Sequence, residues 1–558
     1  IAPEGLRASG QSYEPDTGVL VTELQTDAAR IRITDALLLR TGADLAEGVD
    51  AGRAELLRRV EVLHGRARLR VELAPLGGAR AELRGETLRL HLAERPDLDV
   101  SLWASVPAAC RPAAVLDVGE GDRIDLLLRW GSPIRRARAC TCDELLRETI
   151  AAWRRWAGRI AYDGPRRDLV RRSAITLKLL DYFATGAIVA APTSSLPERI
   201  GGERNWDYRY TWVRDAAFTV YALNRIGLER EALPFLAWVL DAIESAGTPR
   251  ILYDLDARPP PPERLDPELR GYRRSRPVRW GNAAADQVQH DVYGELVDCA
   301  YQWHRRSGTV DPFLWERLAR LVERAAERWR TPDHGIWEVR TPGRPFTYSA
   351  AMCQVALDRG ARMAEALGRV AEADGWRARA DAIRVAILEE AWDPAQQALT
   401  EHLGGGGLDA SALALPLRRV LPADHPRMIA TTDAVARRLG AGKGLLYRYL
   451  PHESPDGLSG HEGAFLLCSF WLVEVLALQG RRDEAEDLFE ALCGRANAIG
   501  LLPEEVDPAT GTFLGNFPQA LSHVGVISSG VRLARLRAAE RDQARKSTTV
   551  FTSPASGR

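Results

Sequence analysis

Sulfur is scarce in this chain: 558 residues hold seven cysteines and three methionines. Cys110, Cys140, Cys142, Cys299, Cys353, Cys468 and Cys493 are scattered and odd in number. That excludes a disulfide framework as the organising device and fits reduced thiols in a cytoplasmic protein. Cys140-Thr-Cys142 has no second pair, and HExxH is absent, so no metal is called for. No Walker or dinucleotide fingerprint stands out either, so no organic cofactor is expected. No charge sign dominates: 75 Lys plus Arg face 76 Asp plus Glu. This balance removes the electrostatic case for nucleic acid or an anionic membrane as partner. Long apolar runs are missing too. The longest, residues 464–478, is broken by Ser469 and Glu474; it is too short to cross a bilayer and reads as a buried core helix. Residues 1–23 are polar and Gly-rich, without the apolar centre of a secretory leader.

What is present is an ordinary globular balance, 46% hydrophobic and 27% charged, in a length that allows more than one domain. Residues 1–142 read as β. Residues 29–35, 67–73 and 87–92 alternate apolar with polar, and Gly pairs such as Gly77-Gly78 punctuate them. Several short one-face-wet strands predict an antiparallel β-sandwich. From Asp143 the period changes. Leu145, Leu146, Ile150 and Trp153 fall on one helical face with Asp143 as cap, which predicts a linker helix over 143–165. Residues 166–538 are helical in pattern, in segments 169–183, 215–226, 231–243, 291–305, 312–328, 349–367, 376–391 and 482–495. The unusual residues sit in the loops between, at 190–214, 256–287, 333–346, 447–460 and 501–522, where function tends to lie on a rigid scaffold. Residues 539–558 read as a polar tail.

Two loop glutamates invite a chemistry. Glu338 follows Trp337 in Asp333-His-Gly-Ile-Trp-Glu-Val-Arg340. A carboxyl beside an indole loses water and tends to stay protonated, as a general acid requires; the bland alternative is a surface pair with Arg340. Glu504 lies in Leu501-Leu-Pro-Glu-Glu-Val506, where extended chain aims Glu504 and Glu505 to opposite sides; Glu504 is the preferred one, against a solvated acidic turn. Cleavage of a glycosidic bond needs two such carboxyl groups flanking it. Residues 204–215 add a dense set of sugar-compatible side chains. Arg214 and Asp215 supply a donor fork and acceptors, and Tyr208 and Trp212 line one wall if they are helical. An aromatic core patch with a structural ion pair is the alternative. Tyr447, Tyr449, Trp280, Asn282 and residues 515–523 are weaker candidates.

Taken together, Ser195-Leu-Pro-Glu-Arg-Ile-Gly-Gly-Glu-Arg-Asn-Trp-Asp-Tyr-Arg-Tyr-Thr-Trp-Val-Arg-Asp215 closely resembles the signature of bacterial glycoside hydrolase family 15, which holds glucoamylases, glucodextranases and some trehalases. Residues 286–295, 463–471 and 514–519 resemble further family blocks in the expected order. The resemblance implies a six-hairpin (α/α) barrel preceded by a β-sandwich, and an inverting reaction that releases β-D-glucose from a non-reducing end. It puts Glu338 on the general acid and Glu504 on the general base. Arg214 and Asp215 fall on the pair gripping the terminal glucose, and Tyr208, Trp212, Trp337 and Arg448 on the pocket wall. The expected partner is an α-glucan or α-gluco-oligosaccharide, with α,α-trehalose second. A phosphorylase and a non-catalytic sugar-binding protein are disfavoured by the two retained glutamates. Ala350 and Gln354 replace a Lys and a Trp of the family pattern, Trp280 stands where an aliphatic residue is usual, and the family's usual opening segment before the first clear strands is absent, so an incomplete sandwich is expected.

Overall fold

The computed structural model describes residues 1–47, 51–73, 79–92, 95–131, 141–307 and 309–551, with side chains of the last helix described through Arg541. Gly77-Gly78, Cys140 and residues 552–558 lie outside the described residues. The chain divides into two compact units, Ile1–Ile160 and Ala161–Arg558. No helix among the described residues is long and apolar enough to cross a membrane.

The first unit is antiparallel β. Its strands are β1 (Ala2–Pro3), β2 (Ala8–Tyr13), β3 (Leu20–Gln25), β4 (Ala29–Leu39), β5 (Gly52–Glu72), β6 (Ala79–Arg84), β7 (Thr87–Leu92), β8 (Asp99–Ala104), β9 (Ala113–Gly119) and β10 (Arg123–Gly131). The main order is β2-β3-β4-β5-β10-β8-β7-β6, and β1 and β9 also pair with β5. The 21-residue β5 therefore serves two ladders. Residues 52–65 run between β4 and β10, and residues 66–72 carry β9 and β1. The changeover is at Gly65, with φ 76°, where a Cβ would stand 1.8 Å from the Ala28 carbonyl oxygen. Only glycine tolerates both the angle and the approach. Period-two alternation then sorts the side chains: Ile31, Ile33, Val60, Val62, Leu69 and Val71 share one core. Ala36, Leu38, Leu57 and Leu127 face the other way, onto Leu145 and Leu146.

Those two leucines belong to α1 (Cys142–Ala157). Its cap is Thr141 rather than Asp143. The Thr141 hydroxyl accepts from the Glu144 N–H while Glu144 closes a capping box. Asp143 is drawn instead to Arg59 and Arg123, at 2.7 and 2.8 Å. Because α1 packs on β4, it is part of the first unit and not a free-standing linker.

The second unit is built from α2 (Arg167–Leu180), α3 (Val213–Arg225), α4 (Ala232–Ala246), α5 (Asp291–Ser307), α6 (Pro312–Arg328), α7 (Thr347–Ala366), α8 (Val370–Glu390), α9 (Ala414–Leu417), α10 (Pro426–Arg438), α11 (Leu466–Leu478), α12 (Arg482–Cys493) and α13 (Ala520–Phe551). Helices α7 and α11 are buried nearly all round, whereas α6 and α8 bury one face. Inner helices pack on inner ones, α5 on α7 and α11 on α13, and each also carries an outer neighbour. The expected tail from 539 is a correction: α13 continues through Phe551, since nothing in residues 539–551 breaks a helix. The connecting loops hold short hairpins, among them a three-stranded sheet of Ala464–Phe465, Glu505–Val506 and Phe513–Leu514.

Candidate active site

Two adjoining chambers open among these loops and share Tyr208, Trp337, Glu338 and Arg448. The first also receives Trp212, Arg214, Asp215 and Glu504. All eight residues singled out in the sequence thus meet in one place, although they come from four separated segments. A pocket lined by aromatic rings with a few convergent polar groups suits a small polar ligand.

Glu338 holds a left-handed backbone, φ 56°, uncommon for a side chain with a Cβ. Three donors converge on its Oε1: the Trp212 indole N–H at 3.1 Å, Arg214 at 3.2 Å and Gln289 at 3.4 Å. Among the described residues no hydrogen bond reaches Oε2. The indole serving Glu338 is therefore that of Trp212, distant in sequence. The neighbouring Trp337 gives its N–H to Asp409 at 2.9 and 3.0 Å and packs its ring on Phe465. The alternative pairing with Arg340 does not form; Arg340 faces Glu263 at 3.5 Å. Arg214 joins the parts, binding Asp215 at 3.0 Å, Glu338 at 3.2 Å and the Ile336 carbonyl. Burial pushes the Asp215 carboxyl up to about 6, opposed by Arg214. Tyr208 and Trp212 do touch, edge to face at 5.3 Å. They do so from extended chain, since Thr211–Trp212 is a strand, and not by helical spacing.

Glu504 is 2% exposed. Burial raises its carboxyl to about 7, against the pull of Arg448, the Tyr208 hydroxyl and the Asn516 N–H. Gly515, φ 70°, makes room for it: a Cβ there would stand 2.3 Å from Glu504 Oε2. Strand alternation sends Glu505 away from the chamber and into the protein, where Gly463 N–H meets its Oε2 at 2.8 Å. Arg448 is gripped by Glu462 at 2.8 and 2.5 Å through Nε and Nη2, and its guanidinium lies 5.3 Å from the Trp337 ring. Among the described residues, Glu198, Glu462 and Glu505 form a buried carboxylate cluster near the chambers, with Arg448 bound to Glu462 and standing 3.6 Å from Glu198 and 3.9 Å from Glu505.

Sequence reasoning missed Glu198, Gln289, Asp409, Glu462 and Gln519. Glu198, Gln289 and Gln519 stand inside the quoted blocks, so the signal was there without a role attached; Asp409 and Glu462 carry no local mark. Trp280 lines neither chamber. Its N–H goes to Asp266 at 3.0 Å and Arg209 lies over its ring.

The sequence family Glycosyl hydrolases family 15 matches residues 164–531. The chain belongs to that family. It is a glycoside hydrolase. Relatives include a trehalase of Mycobacterium tuberculosis, 38% identical over 96% of this chain and 82% of its own length. A trehalase of Mycolicibacterium smegmatis is 42% identical over 75% of this chain, and one of Thermoplasma acidophilum 41% over 70%. The chain spans 63% and 66% of those two proteins, less than two thirds of each. Among solved structures, a bacterial glucoamylase complexed with acarbose superposes with a TM-score of 0.70, covering 96% of this chain and 88% of that one at 15% identity. At that identity it speaks for the fold, an (α/α) barrel enzyme with a preceding antiparallel sheet domain.

Proposed function

We propose that this glycoside hydrolase cleaves α,α-trehalose with inversion, Glu338 acting as general acid and Glu504 as general base. The observation that carries it is that these two carboxylates, from different loops, line one chamber. Glu338 offers Oε2 toward a leaving oxygen while Arg214, Trp212 and Gln289 hold Oε1. Glu504 stands among Tyr208, Arg448 and Gln519, where a water would be activated. Arg214 and Asp215 grip the glucose whose bond breaks, with Tyr208, Trp212, Trp337 and Arg448 as its wall. The second chamber, ringed by Glu198, Arg204, Asn282, Arg340 and Asp456, takes the leaving glucose. The residues and the family resemblance by themselves favour exo-hydrolysis of α-glucans over that of trehalose. The relatives named trehalase reverse that order, and the glucoamylase reading keeps support at family level. The same reading takes the helices of residues 166–538 as the hairpins of a six-hairpin (α/α) barrel.

Glucose release from trehalose, maltose, isomaltose, maltotriose and dextran tests the substrate, with Glu338→Gln as control. Inversion of trehalose frees one β-glucose from the attacked ring and one α-glucose from the leaving ring. Proton NMR at early times should show the two anomers in equal amounts. Only α-glucose would mean retention and sink the mechanism, and release from maltose alone would move the substrate to α-glucans.

A further inference from the structure

Beside Glu504 lies a group of carboxylates to which the reaction assigns no proton transfer, although Glu198 also borders the second chamber. Glu198, Glu462 and Glu505 each bring one oxygen within 4.8 Å of the others, and their side chains are at most 1% exposed. Two guanidiniums face them. Arg448 is committed to Glu462, and stands 3.6 Å from Glu198 and 3.9 Å from Glu505. Arg204 is committed to Asp456 at 2.7 Å, with Glu462 at 3.5 Å; Asp456 also accepts the Tyr449 hydroxyl. Once Arg448–Glu462 and Arg204–Asp456 are paired, Glu198, Glu504 and Glu505 have no cation of their own. Among the described residues, Tyr208, Tyr449 and the Cys468 thiol also titrate near the cluster, and burial raises all three well above their usual range, which holds them neutral.

Glu198 and Glu505 are each satisfied on one side only. Glu198 Oε1 accepts the Trp206 indole N–H at 2.8 Å, and Glu505 Oε2 accepts the Gly463 N–H. Glu198 Oε2 and Glu505 Oε1 are buried without a hydrogen-bond partner. Two carboxylates this close in a low-dielectric interior cannot both ionise, as neighbouring carboxyl pairs elsewhere illustrate. We propose that Glu198 and Glu505 carry one proton between them at neutral pH, and that holding this pair to a single negative charge is what lets Glu504 ionise beside it and accept a proton from water. The second half rests on Glu504 being the base; the first does not. Burial raises both carboxyls above their usual range, that of Glu198 against the pull of Arg448 and that of Glu505 with Glu198 adding to the effect. Both are positioning residues that act through Glu504.

Infrared difference spectroscopy on the whole protein at pH 7 tests the proton without any substrate. Wild type minus Glu198→Gln/Glu505→Gln should show a protonated-carboxyl C=O stretch, and wild type minus Glu263→Gln, a carboxylate paired with Arg279 and Arg340, should not. The acid limb of hydrolysis, on whichever substrate is turned over, should move down by about one pH unit in the double variant, because the pair's remaining negative charge no longer opposes ionisation of Glu504. Single Glu505→Gln is the second reading should the double variant fail to fold: Glu198 then titrates in one step, where the wild-type pair titrates in two separated steps. Absence of the carboxyl band in the wild-type difference spectrum would overturn the shared proton. So would a band that appears only after a chelator is added, since a cation would then hold the site. A band that is lost while the acid limb stays in place would overturn the link to Glu504.

Discussion

At the scale of single residues, the candidate site is held by contacts that local sequence does not advertise. Glu338 takes its donors from Trp212, Arg214 and Gln289. Glu504 owes its room to Gly515. Replacing Glu504 by Gln should lower kcat by roughly 10²–10⁴ with the fold intact, the usual worth of a general base. Its buried carboxyl also predicts a pH dependence. Between pH 4.5 and about 7 the folded state keeps a proton that the unfolded chain has released. Stability contributed at this position therefore falls as pH rises through that window. Glu504→Gln should melt higher than wild type at pH 8, by about 2 °C or more, and match it near pH 4. Hydrolysis by the wild type should fall as pH drops through about 7. Gly515→Ala should cut kcat by about tenfold or more while leaving binding of a non-hydrolysed glucose analogue measurable, because it displaces the base before it disturbs the glucose grip.

At the scale of elements, two devices do most to fix the geometry. The first is the long β5, which passes from one ladder to the other at Gly65. Gly65→Ala should destabilise the first unit by at least about 2 kcal/mol, read by urea unfolding, since the strained angle and the clash with the Ala28 carbonyl add. The second is a buried polar lattice among the inner helices. Arg418 meets Glu295 at 3.1 Å and Asp298 at 3.3 Å, Tyr348 donates to Glu295, and Arg359 meets Asp298 at 2.9 Å. Arg418→Met leaves the buried Glu295 without a cation, while Asp298 keeps Arg359, and should cost about 3–5 kcal/mol. Helices α5, α7 and α9 are thereby locked by charge as well as by packing, which keeps the loops that begin and end them in register. Asp291 and Thr347, at the starts of α5 and α7, stand at the foot of the loops that carry Gln289 and Glu338.

For the whole molecule, burial decides which groups react. Cys110, Cys299, Cys353, Cys468 and Cys493 are buried and free, and Cys142 is half-buried. Brief alkylation of the native protein followed by peptide mass spectrometry should leave those five unmodified, and all should react after unfolding. The scarcity of sulfur therefore has a second meaning: the thiols serve as small apolar fillers of the core.

The sequence by itself determined the division into a β part and a helical part, because periods of 2.0 and 3.6 are local and survive without tertiary information. It also offered Glu338, Glu504, Tyr208, Trp212, Arg214 and Asp215 as candidates, because dense aromatic and charged types in loops do not need a fold to be noticed, while Trp337 and Arg448 entered through the family resemblance. Tertiary structure alone decided which indole serves Glu338, that Trp280 stands clear of the chambers, and that Asp143 leaves the cap to Thr141. It alone decided that Glu198, Glu462 and Glu505 meet around Arg448. Each of those depends on side chains more than ten residues apart being brought within hydrogen-bonding reach, and on burial removing the water that would otherwise satisfy them. Neither distance through space nor loss of water is written in local sequence.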